Sequence, residues 1–372
     1  MYYENRKDKF KEKMIIYISL LIIIVLLVAL FFKNDLNEIK AETNYDVSKL
    51  QLESIEETEE NNTKKIIERA VKSVVGISKL SQNGKTIFLD NSEEKLGLGS
   101  GIIITDNGYI LTNQHVAGNK YSNCYVTLEN GNVYNGNVVW SDENIDLAIV
   151  KIGMKNLDYI QLADSDIISL ADEVYAIGNP IGIEFQRTVT KGIISGINRT
   201  IKIEENNKES YMEDLIQTDA TINEGNSGGA LINESGELIG VNSVKISNAE
   251  GIGFAVPINI VKPIIERFTK NGQFEEAYLG IYGYDKEVIP YLDSSLKIDK
   301  GIYVASVLSD GPLYKTGIKE GDIITRIDDI DLNKMNDLKK YIYSKSPGDS
   351  VKLIVQRNNK TYEITVKLGY KI

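Results

Sequence analysis

One cysteine, one histidine and one tryptophan are all that 372 residues contain, and each scarcity excludes a class of chemistry. A lone Cys124 leaves no internal disulfide, so the fold must rest on its apolar core, with Cys124 as a partly buried filler. One imidazole and one thiol cannot supply a metal-ligand set at normal spacing, so no metal or other cofactor is expected. Basic residues are outnumbered 42 to 53, giving a net charge of −11. Without a Lys/Arg stripe beyond the first residues, nucleic acid is excluded as a partner, since phosphate binding needs a basic surface. Long helices between the strands are also missing, which argues against a doubly wound parallel sheet.

One long apolar run is present. Residues 14–32, bracketed by Lys13 and Lys33, are apolar apart from Tyr17 and Ser19. These 19 residues would rise roughly 28 Å as a helix, about the thickness of a bilayer core. The run is long for a signal-peptide core, and no convincing small-x-small cleavage site follows Phe32. The expectation is therefore one uncleaved transmembrane helix. Residues 1–13 carry Arg6, Lys7, Lys9, Lys11 and Lys13, which places them in the cytoplasm and the remainder outside. Residues 33–63 are acidic, with Glu53, Glu56, Glu57, Glu59 and Glu60, and read as a solvated linker.

Order is expected from residue 64. Ile66, Ile67, Ala70 and Val71 have helical spacing, and Val74 to Ile77 reads as a strand. Short strands divided by Gly, Asn and Asp turns run from Gly101–Thr105 to Gly253–Val256, among them Tyr109–Thr112, Leu147–Ile152, Val189–Ile197 and Leu215–Thr218. The class is mainly β, an antiparallel barrel or sandwich. An amphipathic helix over Pro257–Phe268 closes this unit, residues 64–270, at Asn271-Gly272. Residues 276–370 form a second module with strands at Leu279–Tyr284, Ile302–Val307, Asp322–Ile327, Val351–Gln356 and Thr361–Leu368. Its helix near Asn336–Ser344 puts Leu338, Tyr341 and Ile342 on one face, against the sheet.

Glu224-Gly225-Asn226-Ser227-Gly228-Gly229 frames a serine with glycines, where backbone can turn tightly and aim N–H groups at one point. A serine nucleophile needs a base, and the base needs an orienting acid. His115 is the only imidazole, just past a strand in Thr112-Asn113-Gln114-His115-Val116. Asp146, followed by Leu147-Ala148-Ile149-Val150, opens a buried strand; Asp142, Asp158, Asp164 and Asp172 sit in more polar neighbourhoods.

These three motifs, with Ala176-Ile177-Gly178-Asn179-Pro180 and Gly251-Ile252-Gly253-Phe254-Ala255-Val256-Pro257, resemble the HtrA/Deg family of chymotrypsin-like serine proteases with PDZ domains. The resemblance implies a double six-stranded β-barrel with the site between barrels. It implies His115 as base, Asp146 as orienter and Ser227 as nucleophile, and oxyanion donors on the backbone of Gly225 and Ser227. It further implies a neutral specificity pocket at Thr221 and Ile222, a regulatory loop at Asn198–Asp214 with Arg199, and a homotrimer.

Tyr278-Leu279-Gly280-Ile281 and Gly311-Pro312-Leu313 through Gly321-Asp322-Ile323-Ile324 resemble PDZ signatures. The N–H groups of Leu279, Gly280 and Ile281 would receive a peptide's terminal carboxylate while the peptide adds as a strand. The whole implies a single-pass protein of the bacterial cell membrane, an extracytoplasmic endopeptidase of quality control and stress response. It would degrade unfolded or damaged polypeptides and be regulated through its PDZ domain by peptide C-termini. A site-specific signalling protease and a PDZ-tethered chaperone or scaffold are the alternatives.

Overall fold

Every second side chain is buried in Asn123–Thr127, and Ser350–Arg357 begins with the same pattern, the two-residue period of strands with one wet face. Strands of this kind dominate the computed structural model of the chain. It describes residues 13–28, 30, 59–79, 98–179, 187–205, 208–223, 225–245, 251–292 and 295–371.

Residues 13–28 and Leu30 are helical with exposed side chains, in a unit of their own, Met1–Glu59. No helix among the described residues is long and apolar enough to cross a membrane. Residues 29, 31 and 32 of the expected span, residues 1–12 of the tail and residues 33–58 of the linker lie outside the described residues.

The second unit starts on α1 (Glu59–Lys72), which begins inside the stretch expected to be linker. Its Ala70 is buried, with Ile67 and Val71 packed on the same core. The first barrel comprises β1 (Val74–Lys79), β2 (Leu98–Ile103), β3 (Tyr109–Thr112), β4 (Asn123–Thr127), β5 (Val133–Asp142) and β6 (Leu147–Ile152), with α2 (Gln114–Ala117) after β3. It closes in the order β1-β2-β3-β6-β5-β4 around Ile77, Ile110, Val126, Val150 and Ile152. Cys124 is wholly buried in that core rather than partly, and burial pushes its thiol up to about 12, which leaves it inert.

The second barrel comprises β7 (Glu173–Gly178), β8 (Thr188–Glu205), β9 (Lys208–Thr218), β10 (Ala230–Ile232), β11 (Leu238–Lys245) and β12 (Gly253–Pro257), closed in the order β10-β11-β12-β9-β8-β7. Two expectations are corrected here. The described residues of Asn198–Asp214 are strand, not loop, with Lys202 paired to Tyr211 and Ile203 to Ser210. Within this stretch Met212 joins the core, and Ile201 and Ile203 pack against that core half-buried. The closing helix starts later than expected. Pro257 ends β12, Ile258–Ile260 make a 3-10 turn, and α3 (Lys262–Asn271) follows, stopped by Gly272 at φ 69°.

The last module has β13 (Ala277–Tyr278) paired to β20 (Gly369–Tyr370), which ties its ends together. Its sheet contains β14 (Ile281–Tyr284), β15 (Ile302–Val307), β16 (Ile323–Ile327), β17 (Ile330–Asp331), β18 (Ser350–Arg357) and β19 (Lys360–Lys367), in the order β14-β15-β16-β18-β19 with β17 beside β16. α4 (Ile289–Leu292) and α5 (Met335–Ser344) complete it. Leu338 and Ile342 of α5 enter this module's core and Tyr341 packs against it, as expected. Tyr343 instead joins the core of the barrels, its ring 6.0 Å from Trp140 and edge-on at 84°. The module is therefore docked on the barrels. Tyr211 of β9 stacks near Tyr284 and Tyr291, and Lys334 pairs with Asp214 at 2.7 Å.

Candidate active site

The turn between β5 and β6 carries Asp146 in left-handed backbone at φ 51°, a conformation that Asp tolerates better than most side chains. That twist aims its carboxylate at α2. His115 Nδ1 lies 2.9 Å from Oδ1 and 2.8 Å from Oδ2 of Asp146, and the His115 backbone N–H donates to Oδ1 at 3.0 Å. The Asp146 carbonyl accepts from Gln114 N–H at 3.2 Å and from Asn113 Nδ2 at 2.8 Å. The two segments are thus locked at four points. His115 is half exposed while the Asp146 carboxylate is 14% exposed, so the imidazole reaches out from a largely dry anion.

Ser227 stands on the loop after β9, and its Oγ donates to the Ser243 carbonyl at 3.0 Å. Ser243 Oγ in turn donates to Asp146 Oδ2 at 2.9 Å. Ser243 therefore touches both the serine loop and the acid, a residue that no motif singled out. The structure joins His115 to Asp146 directly and Ser227 to them through Ser243. No Ser227–His115 hydrogen bond is present among the described residues.

Packing explains the glycines around Ser227. A Cβ on Gly228, at φ 80°, would stand 2.2 Å from the Ser100 carbonyl oxygen, and one on Gly229 would stand 2.2 Å from that of Ile177. Loop and barrels are in backbone contact, which only glycine permits. Ser100, wholly buried in β2, fastens the same loop. Its N–H donates to the Ser227 carbonyl at 2.8 Å, and its Oγ donates to the Gly225 carbonyl at 2.5 Å while accepting from Asn179 N–H at 2.6 Å. Gly99-Ser100-Gly101 was the only sequence signal for it. Neither Gly225 N–H nor Ser227 N–H has an acceptor among the described residues, and Gly225 has φ 96°. Glu224 lies outside the described residues.

Thr221 is exposed, and its carbonyl accepts from Thr190 Oγ1 at 2.9 Å and Asn226 Nδ2 at 3.3 Å. Ile222 is buried at 3% exposure among Ile194, Ile216 and Ala255, inside the second barrel. Arg199 lies in β8, where its Nε donates to Gln217 Oε1 at 3.0 Å.

Leu279, Gly280 and Ile281 lead into β14, an edge strand. Gly280 has φ 78°, and a Cβ there would stand 2.4 Å from Gly311 Cα. The glycine is thus required by the Gly311-Pro312 turn, and the two PDZ-like motifs are physical neighbours. A cleft of about 1010 Å³ contains both regions, with His115, Asp146 and Ser243 at one part and Leu279, Gly280 and Ile281 at another. Glu213 lines it as well. Burial first, and then the nearby Asp285 carboxyl, push Glu213 up to about 8, with its Oε2 buried and unpartnered.

Residues 99–241 match the trypsin-like peptidase domain family and residues 273–368 the PDZ domain family. The chain is 37% identical over 326 residues to the serine protease Do-like HtrA of Bacillus subtilis (strain 168), covering 82% of this chain and 72% of that protein. It is 37% identical over 278 residues to the periplasmic pH-dependent serine endoprotease DegQ of Escherichia coli (strain K12), covering 73% of this chain and 59% of that one. Among solved structures, the HtrA-type protease AlgW with tripeptide superposes with a TM-score of 0.61 at 34% identity, covering 83% of this chain and 97% of the other.

Proposed function

The chain belongs to the HtrA/Deg family of serine proteases, and from that premise we propose a membrane-anchored, extracytoplasmic endopeptidase that cuts unfolded or damaged polypeptides through an acyl-enzyme on Ser227. The observation that carries this reading is the His115–Asp146 pair, built from segments 31 residues apart and set beside a glycine-packed serine loop.

In the proposed reaction the Ser227 hydroxyl leaves the Ser243 carbonyl and turns to His115 Nε2 as substrate enters. Catalytic hydrogen bonds commonly tighten only in the Michaelis complex. His115 takes the hydroxyl proton as Oγ attacks the scissile carbonyl, and Asp146 stabilises the imidazolium through Nδ1–H. The N–H groups of Gly225 and Ser227 receive the oxyanion, each donor worth about 3 kcal/mol of barrier. His115 then gives its proton to the leaving amine, and water repeats the sequence on the acyl-enzyme. Thr221, beside Ile222, supplies a neutral pocket that favours small or aliphatic side chains before the cut.

The Leu279–Ile281 backbone is proposed to take peptide C-termini and Arg199 to act in regulation by the β8–β9 hairpin. The apolar run 14–32 is proposed to hold the chain in the cell membrane. A homotrimer is proposed as the assembly; a monomer by sedimentation in detergent would count against it.

Casein hydrolysis by the detergent-solubilised chain tests the enzymatic reading. Wild type should degrade casein and Ser227→Ala should lose essentially all turnover. Undiminished turnover by Ser227→Ala would remove Ser227 from the mechanism, and inert wild type would favour a PDZ-tethered scaffold.

A further inference from the structure

We propose that Tyr343, on the PDZ helix α5, is a positioning residue for proteolysis that acts through Asp142 on the turn presenting Asp146. The inference rests on Asp146 being the orienting acid.

Tyr343 is 3% exposed, and its hydroxyl donates to Asp142 Oδ2 at 2.7 Å. Asp142 ends β5 and is itself 5% exposed. Its other oxygen, Oδ1, accepts from the Asn144 N–H at 2.8 Å and from Asn144 Nδ2 at 3.2 Å. One carboxylate thus closes the turn with one oxygen and is gripped by the PDZ module with the other. Within the turn the Asp146 N–H donates to the Glu143 carbonyl at 3.3 Å, and Asp146 is in the left-handed backbone that aims it at His115. Freeing Asp142 removes one of the constraints on this turn, the one that comes from outside the barrels.

The grip is charged as well as geometric. Burial pulls the Asp142 carboxyl upward, but Lys339, Lys371 and the hydrogen bonds from Tyr343 and Asn144 outweigh it and hold Asp142 below its usual range. Burial, with Asp142 and Glu276 nearby, keeps the Tyr343 hydroxyl protonated and therefore a donor. Lys371 bridges Asp142, at 3.7 Å, and Glu276, at 2.5 Å; Glu276 accepts from Trp140 Nε1 at 3.3 Å. The same helix presents Leu338 and Ile342 to the cleft opposite β14.

The test is casein hydrolysis by the full-length chain in detergent, with kcat and KM measured separately. Tyr343→Phe keeps the rings packed on Trp140 and Phe274 and removes only the hydroxyl. It should lower kcat about tenfold, roughly one lost hydrogen bond to a charged group, with KM within about twofold. Asp142→Ala should lower kcat at least as much, and the double variant should be no worse than Asp142→Ala, because both act through one contact. Lys340→Ala removes the α5 ion pair to Asp166 at 2.8 Å, away from the turn, and should leave kcat unchanged. Full kcat in Tyr343→Phe, an equal loss in Lys340→Ala, or multiplicative losses in the double variant would overturn the proposal. Should Tyr343→Phe fail to fold, full kcat in Asp142→Ala would overturn it equally. Wild-type turnover that persists in Ser227→Ala would instead sink the underlying catalytic assignment.

Discussion

The turn at Asp142–Asp146 is fastened by charged side chains, whereas the loop at Gly225–Gly229 is fastened by close backbone packing and the uncharged Ser100 hydroxyl. Carboxylates of Asp142 and Asp146 take hydrogen bonds from four different residues around the first: Asn144, Tyr343, His115 and Ser243. The second lies in the grooves that Gly228 and Gly229 leave open, tied by Ser100 and by Asn242, whose carbonyl accepts Gly228 N–H at 2.8 Å. Side-chain fastening carries charge and reaches across to the PDZ module; backbone fastening is rigid and local. The acid half of the site is therefore open to influence from outside the barrels, and the serine half is set by barrel packing.

The largest effect that would sharpen this contrast is expected at Asp146→Asn. The geometry would survive, but the amide favours the wrong imidazole tautomer, so kcat should fall on the order of ten-thousandfold. A loss under tenfold in steady-state hydrolysis would mean that the carboxylate does not act through His115.

Ser100→Ala comes next and probes the backbone-fastened half. It strands the Gly225 carbonyl and the Asn179 N–H, both hydrogen-bonded to that hydroxyl. A buried group left unpaired costs about 1–3 kcal/mol. Turnover should fall about tenfold or more with KM little changed, since the proposed oxyanion donors share that loop. Unaltered kcat would show that the loop needs no such tie.

The smallest effect is on stability and concerns the junction of the two modules. Glu213 is raised from 4.5 to about 8, so the folded state favours its protonated form. Its contribution is fully present below about 4.5 and is lost progressively as pH rises to about 8. Glu213→Gln should match wild type in Tm near pH 4 and exceed it by several degrees near pH 9. A pH-independent difference would contradict this.

Much of this was legible in the sequence because it is local. Asp146 before four apolar residues, glycines about Ser227 and the sole histidine each mark a strand end or tight turn. The β8–β9 extension was hidden because its polar residues suggested a loop, although a two-residue alternation of Ile201 and Ile203 was present. Ser100 and Ser243 left little or no trace, since a buried serine is defined by partners that only the closed barrels bring near. Tyr343 was invisible for a related reason. Helical periodicity assigned Leu338 and Ile342 to the module's own core but could not say that another domain covers the adjacent face.

Labelling of the full-length chain with a fluorophosphonate, with the adduct located by mass spectrometry, is the most direct test of Ser227 as nucleophile. The expected result is a single adduct on Ser227, formed at least a hundredfold more slowly in His115→Ala. An adduct on another residue, or labelling of His115→Ala at the wild-type rate, would contradict that role.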